Sequence, residues 1–326
     1  MKTSVQAGLI ALAAILLIPS APDRRSDVTP PLALWITKEA HGPARSAESQ
    51  AMVRVLEDGA VSELDEADYL TRVILSEMLP GFGLEAMKAQ AVAARTFALR
   101  QRAAGKHPEA DVCTQSSCCQ ACCSVEDLRE RLGDQFRDAW ALAYSAVQQT
   151  EGEVLTFGGK LIDATYFSCS GGSTEDAAAV WGTDVPYLRA VESPGEQDAA
   201  VFASSVCVSA EAFRQTICTV DSAADFSSGP ADWIGQAEQT PGGGVAWIRI
   251  GGTEMTGVQL RRLFHLNSTK FTLAWDGTQF VFDVRGYGHR VGMSQYGAQA
   301  MAELGFDYRA ILLYYYRGVT IIRADE

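Results

Sequence analysis

The segment from Tyr69 to Arg102, YLTRVILSEMLPGFGLEAMKAQAVAARTFALRQR, restricts the fold more than any other stretch of the chain. Tyr69, Leu70, Val73, Ile74 and Met78 recur at helical spacing and predict a helix with one core-facing stripe. Pro80 and Gly81 must end it, because proline disfavours helix at the residue before it and glycine opens the following turn. A second helix is expected from about Leu84. Its inner face, Leu84, Met87, Ala91, Ala94 and Ala98, is mostly alanine, so another element can approach the backbone closely.

Glu77 falls where the first helix ends, just before Met78, Leu79 and Pro80. A carboxyl at the rim of apolar packing loses hydration, which raises its pKa toward the range of a general acid. An exposed glutamate at a helix end has the same sequence signature, so composition alone leaves both readings open. Glu85 is the second choice. It lies in the first turn of the second helix, where the helix dipole favours an acid without any chemistry being needed.

The chain has 326 residues, 47% of them hydrophobic, enough for one large domain or two smaller ones. A net charge of -13, with no basic stripe, argues against a nucleic-acid partner. Residues 1–25 hold one lysine, an apolar run from Ala7 to Pro19, then Asp23, Arg24 and Arg25. That run suits a secretory signal and is too short for a comfortable bilayer span. Export is expected, to the periplasm or cell surface, with the segment either cleaved or kept as a membrane anchor. Residues 26–50 read as a proline-bearing spacer with a first strand over Leu32 to Thr37.

Further along, Ala51 to Leu56 reads as a strand, with Asp58-Gly59 a hairpin turn. Val125 to Thr150 reads as one helix carrying Leu128, Leu132, Phe136, Trp140, Tyr144 and Val147 on one face. Glu153 to Phe157 and Leu161 to Ser168 form an expected hairpin that delivers the chain into the polar loop SCSGGSTE. The region from about Gly195 to Gly244 looks looser, helical only around Glu211 to Ile217. Val245 to Ile250 is a strand, and Phe271 to Trp275 with Phe280 to Val284 a hairpin across Asp276-Gly277. Near the end, glycines flank His289, Ser294 can cap a helix carrying Tyr296, Ala300, Met301 and Leu304, and Tyr314 to Tyr316 reads as strand and core surface.

Three stretches in this order, SEMLPGFGLEAMKAQAVAARTFAL, YFSCSGGSTED with VWGTDVPYLRAVESP, and GYGHRVGMSQYGAQAMA, resemble the signature blocks of the SpoIID/LytB family of bacterial cell-wall proteins. With the weaker stretch VAWIRIGGTEMTGVQLRRLFHLNSTKFTLAWDG, the resemblance runs from Val53 to Ile322. Two departures stand out: Leu79 displaces the proline usual after the SEM triplet, and Arg290 occupies a position usually glycine. The resemblance implies a lytic transglycosylase that cleaves peptidoglycan between MurNAc and GlcNAc, with a preference for peptide-stripped strands, leaving 1,6-anhydroMurNAc ends. It implies Glu77 as the acid and base. One carboxylate suffices there, since the sugar's own C6 hydroxyl replaces the second acid of ordinary glycosidases. Ser168, Ser170, Thr174, Glu175, His289, Gln295 and Tyr296 become candidates for holding the glycan, and each could instead cap a turn. The LytB branch implies the rival reading, a non-catalytic wall-binding enhancer of a cell-wall amidase.

His107, Cys113, Cys118 and Cys119 sit in one short loop, and thiolates with an imidazole are a zinc set. Family members that carry zinc in the corresponding loop use two histidines and two cysteines; here Cys118 stands where a histidine is usual. Four protein ligands would make such a zinc structural and argue against a zinc hydrolase. The alternative is disulfides, since the chain has eight cysteines and is expected to be exported; Cys207 with Cys218 is then the first pair to consider. The expected architecture is α+β: a helical pair and β-hairpins forming a glycan cleft over residues 51–326, with a β-rich lobe inserted at about 195–276.

Overall fold

The computed structural model describes residues 51–324. The signal or anchor segment, the spacer and the strand expected at 32–37 lie outside the described residues. β1 (Met52–Glu57) and β2 (Ala60–Asp65) pair antiparallel from Met52↔Asp65 to Glu57↔Ala60. Asp58 and Gly59 in the turn have φ of 47° and 83°, both positive as a two-residue turn matched to strand twist requires. Asp65 caps α1 (Glu66–Glu77) by accepting the Ala67 N–H at 2.9 Å. The expected stripe is fully buried at Tyr69, Leu70, Val73 and Ile74, each contributing about 2 kcal/mol by removal from water.

α2 (Leu84–Ala104) ends on left-handed Gly105. The sequence predicts one inner face, but every residue from Ala86 to Thr96 except Lys88 is buried. The small alanines let neighbours close on the helix from all sides, which makes it the axis of the main core. Arg95, inside that core, is satisfied by Glu66 Oε2 at 3.0 Å and by the carbonyls of Thr150 at 2.7 Å and Glu153 at 3.2 Å.

β3 (Val112–Cys113) adds to β1 in parallel. The single helix expected from Val125 to Thr150 is two, α3 (Val125–Leu132) and α4 (Phe136–Gln149), broken at Gly133, whose φ of 53° and ψ of -129° only glycine adopts cheaply. β4 (Glu153–Phe157) and β5 (Lys160–Leu161) share only two residue pairs. The longer second strand expected there does not form, because Ile162 and Ala164 turn into the core. β6 (Tyr166–Phe167) pairs elsewhere, and α5 (Ala177–Trp181) follows.

The inserted lobe comprises β7 (Ala203–Ser209), α6 (Ala210–Cys218), β8 (Ile234–Gln239), β9 (Val245–Ile250), β10 (Thr253–Thr256), α7 (Gly257–Leu263), β11 (Lys270–Trp275) and β12 (Gln279–Arg285). Its sheets run β10-β9-β8 and β11-β12-β7 around a separate core with Phe213, Phe280 and Phe282 at its centre. The boundary expected near Asp276 is therefore too early, since β12 is the middle strand of the second sheet. The chain leaves and re-enters the body side by side: the Gly286 N–H donates to the Phe202 carbonyl at 2.8 Å. The eight cysteines are free thiols. Cys207 and Cys218 are not bonded, because Cys207 faces outward from β7 while Val206, Val208 and α6 pack on the other side.

β13 (Met293–Ser294) pairs in parallel with β6, and Ser294 caps α8 (Gln295–Glu303). α9 (Tyr308–Tyr315) takes up most of the tyrosine triple expected as strand. Asp307 caps it, and the Leu312 and Tyr315 side chains at helical spacing are buried. β14 (Thr320–Arg323) closes a sheet of order β14-β4-β5. The fold is α+β, with no helix among the described residues long and apolar enough to cross a membrane.

Candidate active site

Glu77 is the last residue of α1, and the chain extends at Met78. One carboxyl oxygen accepts the Ala121 backbone N–H at 2.6 Å, and the Gln295 side chain also hydrogen-bonds the carboxyl. Burial raises its pKa above the usual carboxylate value, and these hydrogen bonds offset only part of the rise. Gln295, 3% exposed, sits at the start of α8 with its amide 3.5 Å from Gln90 Oε1.

The loop that supplies Ala121 is the cysteine loop. Gln120 Nε2 donates to Tyr69 Oη at 2.6 Å while its Oε1 accepts from Tyr166 Oη at 2.7 Å. Cys123 N–H donates to Ser76 Oγ at 2.8 Å, one residue before Glu77. Burial, and secondarily the Glu77 charge, raise the Tyr166 phenol well above its ordinary value, so it remains a donor. Gln120, Ala121, Tyr166 and Gln90 are absent from the sequence-derived candidates. The one signal for the first two was adjacency to Cys119.

His107, Cys113, Cys118 and Cys119 each offer a ligand atom, all within 4.8 Å of one another. His107 Nε2 lies 3.3 Å from Cys119 Sγ and 3.8 Å from Cys118 Sγ. Burial pushes the Cys119 thiol up to about 12, a penalty that a divalent cation would cancel by favouring thiolate. Three sulfurs and one imidazole fit tetrahedral zinc.

The other candidates divide. Tyr296 is half-buried, packed edge-on against Phe82 at 5.2 Å, and its N–H donates to the Ser168 carbonyl at 3.0 Å, which leaves Ser168 beside it. The His289 ring stands 5.5 Å from Phe167 and 5.4 Å from Trp181. Its Nδ1 accepts the Val291 N–H at 3.1 Å, and burial lowers its pKa to about 4, so it is neutral. Ser170, Thr174 and Glu175 are fully buried and bonded internally, so their side chains offer no face to a glycan. Thr174 Oγ1 accepts the Val191 N–H at 2.8 Å. Ser170 Oγ donates at 2.7 Å to Glu196, a buried carboxylate that also accepts from the Ser170 and Gly171 N–H groups, Ser193 and Ser294. Glu175 Oε1 accepts from Thr240 at 2.7 Å and the Gly244 N–H at 3.1 Å, with Arg290 Nη1 at 3.5 Å. Glu85 is committed to structure, holding Lys88 at 2.7 Å and the Tyr308 N–H at 2.9 Å.

Arg290, the departure from glycine, keeps a positive φ of 66°. Its side chain runs inward, donating to the carbonyls of Ser170 at 2.9 Å, Ser173 at 2.9 Å and Gly242 at 2.6 Å. It therefore ties the SCSGGSTE loop to the lobe.

The family model described as stage II sporulation protein, SpoIID, matches residues 57–157. The stage II sporulation protein D of Bacillus subtilis is 34% identical over 82% of this chain and 77% of its own length. The chain belongs to the SpoIID family. The stage II sporulation protein D of Bacillus amyloliquefaciens is 33% identical over 89% of the chain and 83% of its own length. An amidase enhancer of Bacillus subtilis is 27% identical over 77% of the chain and 40% of its own length. The SpoIID match begins in β1 and ends in β4, and so includes Glu77 and the cysteine loop.

Proposed function

We propose that this SpoIID-family chain is a lytic transglycosylase that cleaves peptidoglycan strands between MurNAc and GlcNAc, with peptide-stripped strands as the preferred substrate. The observation that carries the reading is Glu77, a carboxyl with burial-raised pKa whose immediate partners, Ala121 N–H and the Gln295 amide, are neutral. In its protonated form Glu77 donates to the glycosidic oxygen as the C1–O bond breaks. The resulting carboxylate accepts the proton of the MurNAc C6 hydroxyl as that oxygen bonds to C1, leaving an anhydro end and restoring the acid. No second carboxylate is required, because the nucleophile belongs to the sugar. In this reading Tyr166, which feels the Glu77 charge, stands beside the acid, and Ser168, Tyr296 and neutral His289 are the polar and aromatic groups offered to the glycan. Zinc bound by His107, Cys113, Cys118 and Cys119 would act structurally, fixing the loop whose Ala121 N–H holds the carboxyl.

Mass spectrometry of digests of intact and peptide-stripped strands tests the reading. Anhydro-ended products are expected from the wild type and none from Glu77→Gln. Reducing ends in place of anhydro ends would contradict it. The similarity to an amidase enhancer supports a second reading, wall binding that stimulates an amidase. That reading prevails if stimulation occurs and survives Glu77→Gln while no glycan products form.

A further inference from the structure

The inserted lobe presents a groove of about 690 Å3, the volume of a small-molecule site. Its floor is the outward face of β11, β12 and β7. Phe271, Phe280, Phe282 and Val284 point into the lobe core, so the alternate residues of each strand face the groove. In this register Lys270 lies directly opposite Arg285, and Asp283 lies between Thr272 and Ser205.

Two like charges placed across a strand pair repel each other. In a chain with 40 acidic and 27 basic residues, compensation by a carboxylate would be easy to supply. Neither cation has it: among the described residues no carboxylate lies within ion-pair distance of Lys270 or Arg285. Lys270 Nζ donates to Ser173 Oγ at 2.8 Å, and the Arg285 guanidinium stands 5.7 Å over the Phe202 ring. Asp283, the one acid in the groove, accepts from Ser205 Oγ at 3.1 Å. Burial, and then the charge of Arg290, lower the Lys270 pKa, and the more distant charges of Glu175 and Glu196 offset only part of the fall. Glycines leave room above it: a Cβ on Gly243 would come within 3.5 Å of Lys270 Cε. Ser205, Gln239 and Thr272 complete a lining of hydroxyl and amide groups.

We propose that this groove binds an anionic sugar unit of the wall polymer, with Lys270 and Arg285 holding its carboxylate or phosphate and the neighbouring hydroxyl and amide groups holding its hydroxyls. The choice of a wall polymer rests on the function proposed above; the anion site itself rests on the lobe alone. Two sources offer such a group: the lactyl carboxylate of peptide-free MurNAc, and the phosphodiester of a polyol-phosphate polymer. Because Lys270 also bonds Ser173, an occupied groove would bear directly on the SCSGGSTE loop.

The test is calorimetric titration of the full chain carrying Glu77→Gln, which stops turnover. The probes are a peptide-free MurNAc-GlcNAc tetrasaccharide, the same compound with its lactyl carboxyls reduced to alcohols, and a glycerol-phosphate oligomer. Arg285→Gln alters an exposed side chain outside the lobe core and leaves the fold intact, and Thr272→Glu, also exposed, adds a second carboxylate opposite Asp283 in the groove. Each is expected to weaken binding of an anionic probe at least about tenfold, the scale of one charge-assisted hydrogen bond. The reduced saccharide should bind weakly and equally to all variants. Dependence on Arg285 with the tetrasaccharide supports the site with carboxylate as the source, and the same dependence with the phosphate oligomer alone supports it with phosphate. Equal binding of the acidic and reduced saccharides together with no response to the phosphate oligomer, or no effect of either substitution, overturns it. The product assay on the wild type fails or succeeds separately, so loss of the transglycosylase reading would leave this result standing.

Discussion

At the scale of single residues, the proposed chemistry rests on how the Glu77 proton is held. Burial raises its pKa, so the protonated form persists to higher pH than in an ordinary glutamate. A step that begins with proton donation should therefore lose kcat as pH rises through that shifted value, and Glu77→Asp, which takes the carboxyl out of the pKa-lowering hydrogen bond from Ala121, should move the limb toward higher pH. A pH–rate profile of anhydro product formation checks both. Gln120 bonds Tyr166 and Tyr69 at once, which makes it a positioning residue for the proposed reaction. Gln120→Leu is expected to lower kcat about tenfold or more with KM little changed, and the conservative Gln120→Glu should recover part of the loss. His289 titrates the other way. Its folded pKa of about 4 lies below its ordinary 6.5, so the unfolded chain binds the extra proton between these values. Stability from this group is therefore complete above 6.5 and lost as pH falls toward 4, on the order of 3 kcal/mol in total. The urea midpoint of the wild type, measured relative to that of His289→Phe, should fall toward acid pH across that window.

At the scale of elements, α1 and the cysteine loop form one working unit. The helix brings Glu77 to its end, and residues 120–123 bind Tyr69, Ser76 and Glu77. Chelation should loosen the loop, seen as faster hydrogen exchange at the Ala121 amide alongside a lower Tm, and metal analysis should find one zinc per chain. If the amide exchanges equally with and without chelator, the cluster does not brace the loop. α8 is locked more tightly: a Cβ at Gly297 would meet Tyr315 Oη at 2.0 Å and Ser193 Oγ at 2.2 Å. Gly297→Ala should cost about 2 kcal/mol or more through overpacking, measurable by denaturant unfolding. Elements were legible in the sequence where periodicity and turn chemistry agreed, as in α1 and the β1-β2 hairpin around Asp58-Gly59. They were not where a partner distant in sequence decided the outcome. Tyr166 and Phe167 read as the end of a local hairpin but pair with Met293 and Ser294, and Tyr314 to Tyr316 look like strand residues until packing places Tyr315 in a helix. The place of Glu77 at the end of α1 was legible because Pro80 follows three residues on. Gln120 was hidden, because a glutamine in a loop shows nothing of two tyrosines lying 51 and 46 residues away. Ser170, Thr174 and Glu175 were misleading for the converse reason: a polar loop sequence gives no sign that a buried carboxylate and a buried arginine will enclose it.

At the scale of the whole molecule, two hydrophobic cores share one chain. The buried guanidinium of Arg290 fastens them, reaching Ser170 and Ser173 in the body and Gly242 in the lobe. Removing one partner of such a group leaves carbonyls without a donor and the buried Glu175 without its facing cation, so Arg290→Met should destabilise by about 3 kcal/mol or more. Calorimetry should then resolve two transitions where the wild type shows one, and a single transition at lower Tm would mean that the cores are coupled by other contacts. The adjacency of Phe202 and Gly286 carries this further. A segment that departs and returns at bonded neighbours can be lengthened, exchanged for another, or dropped in favour of a tight turn without rethreading its host. Related chains are thus free to differ widely between these positions while keeping α1, Glu77 and the cysteine loop. The residue that should change in step with such exchanges is Arg290: without a lobe carbonyl to meet, a glycine there would satisfy the same left-handed backbone and bury no charge.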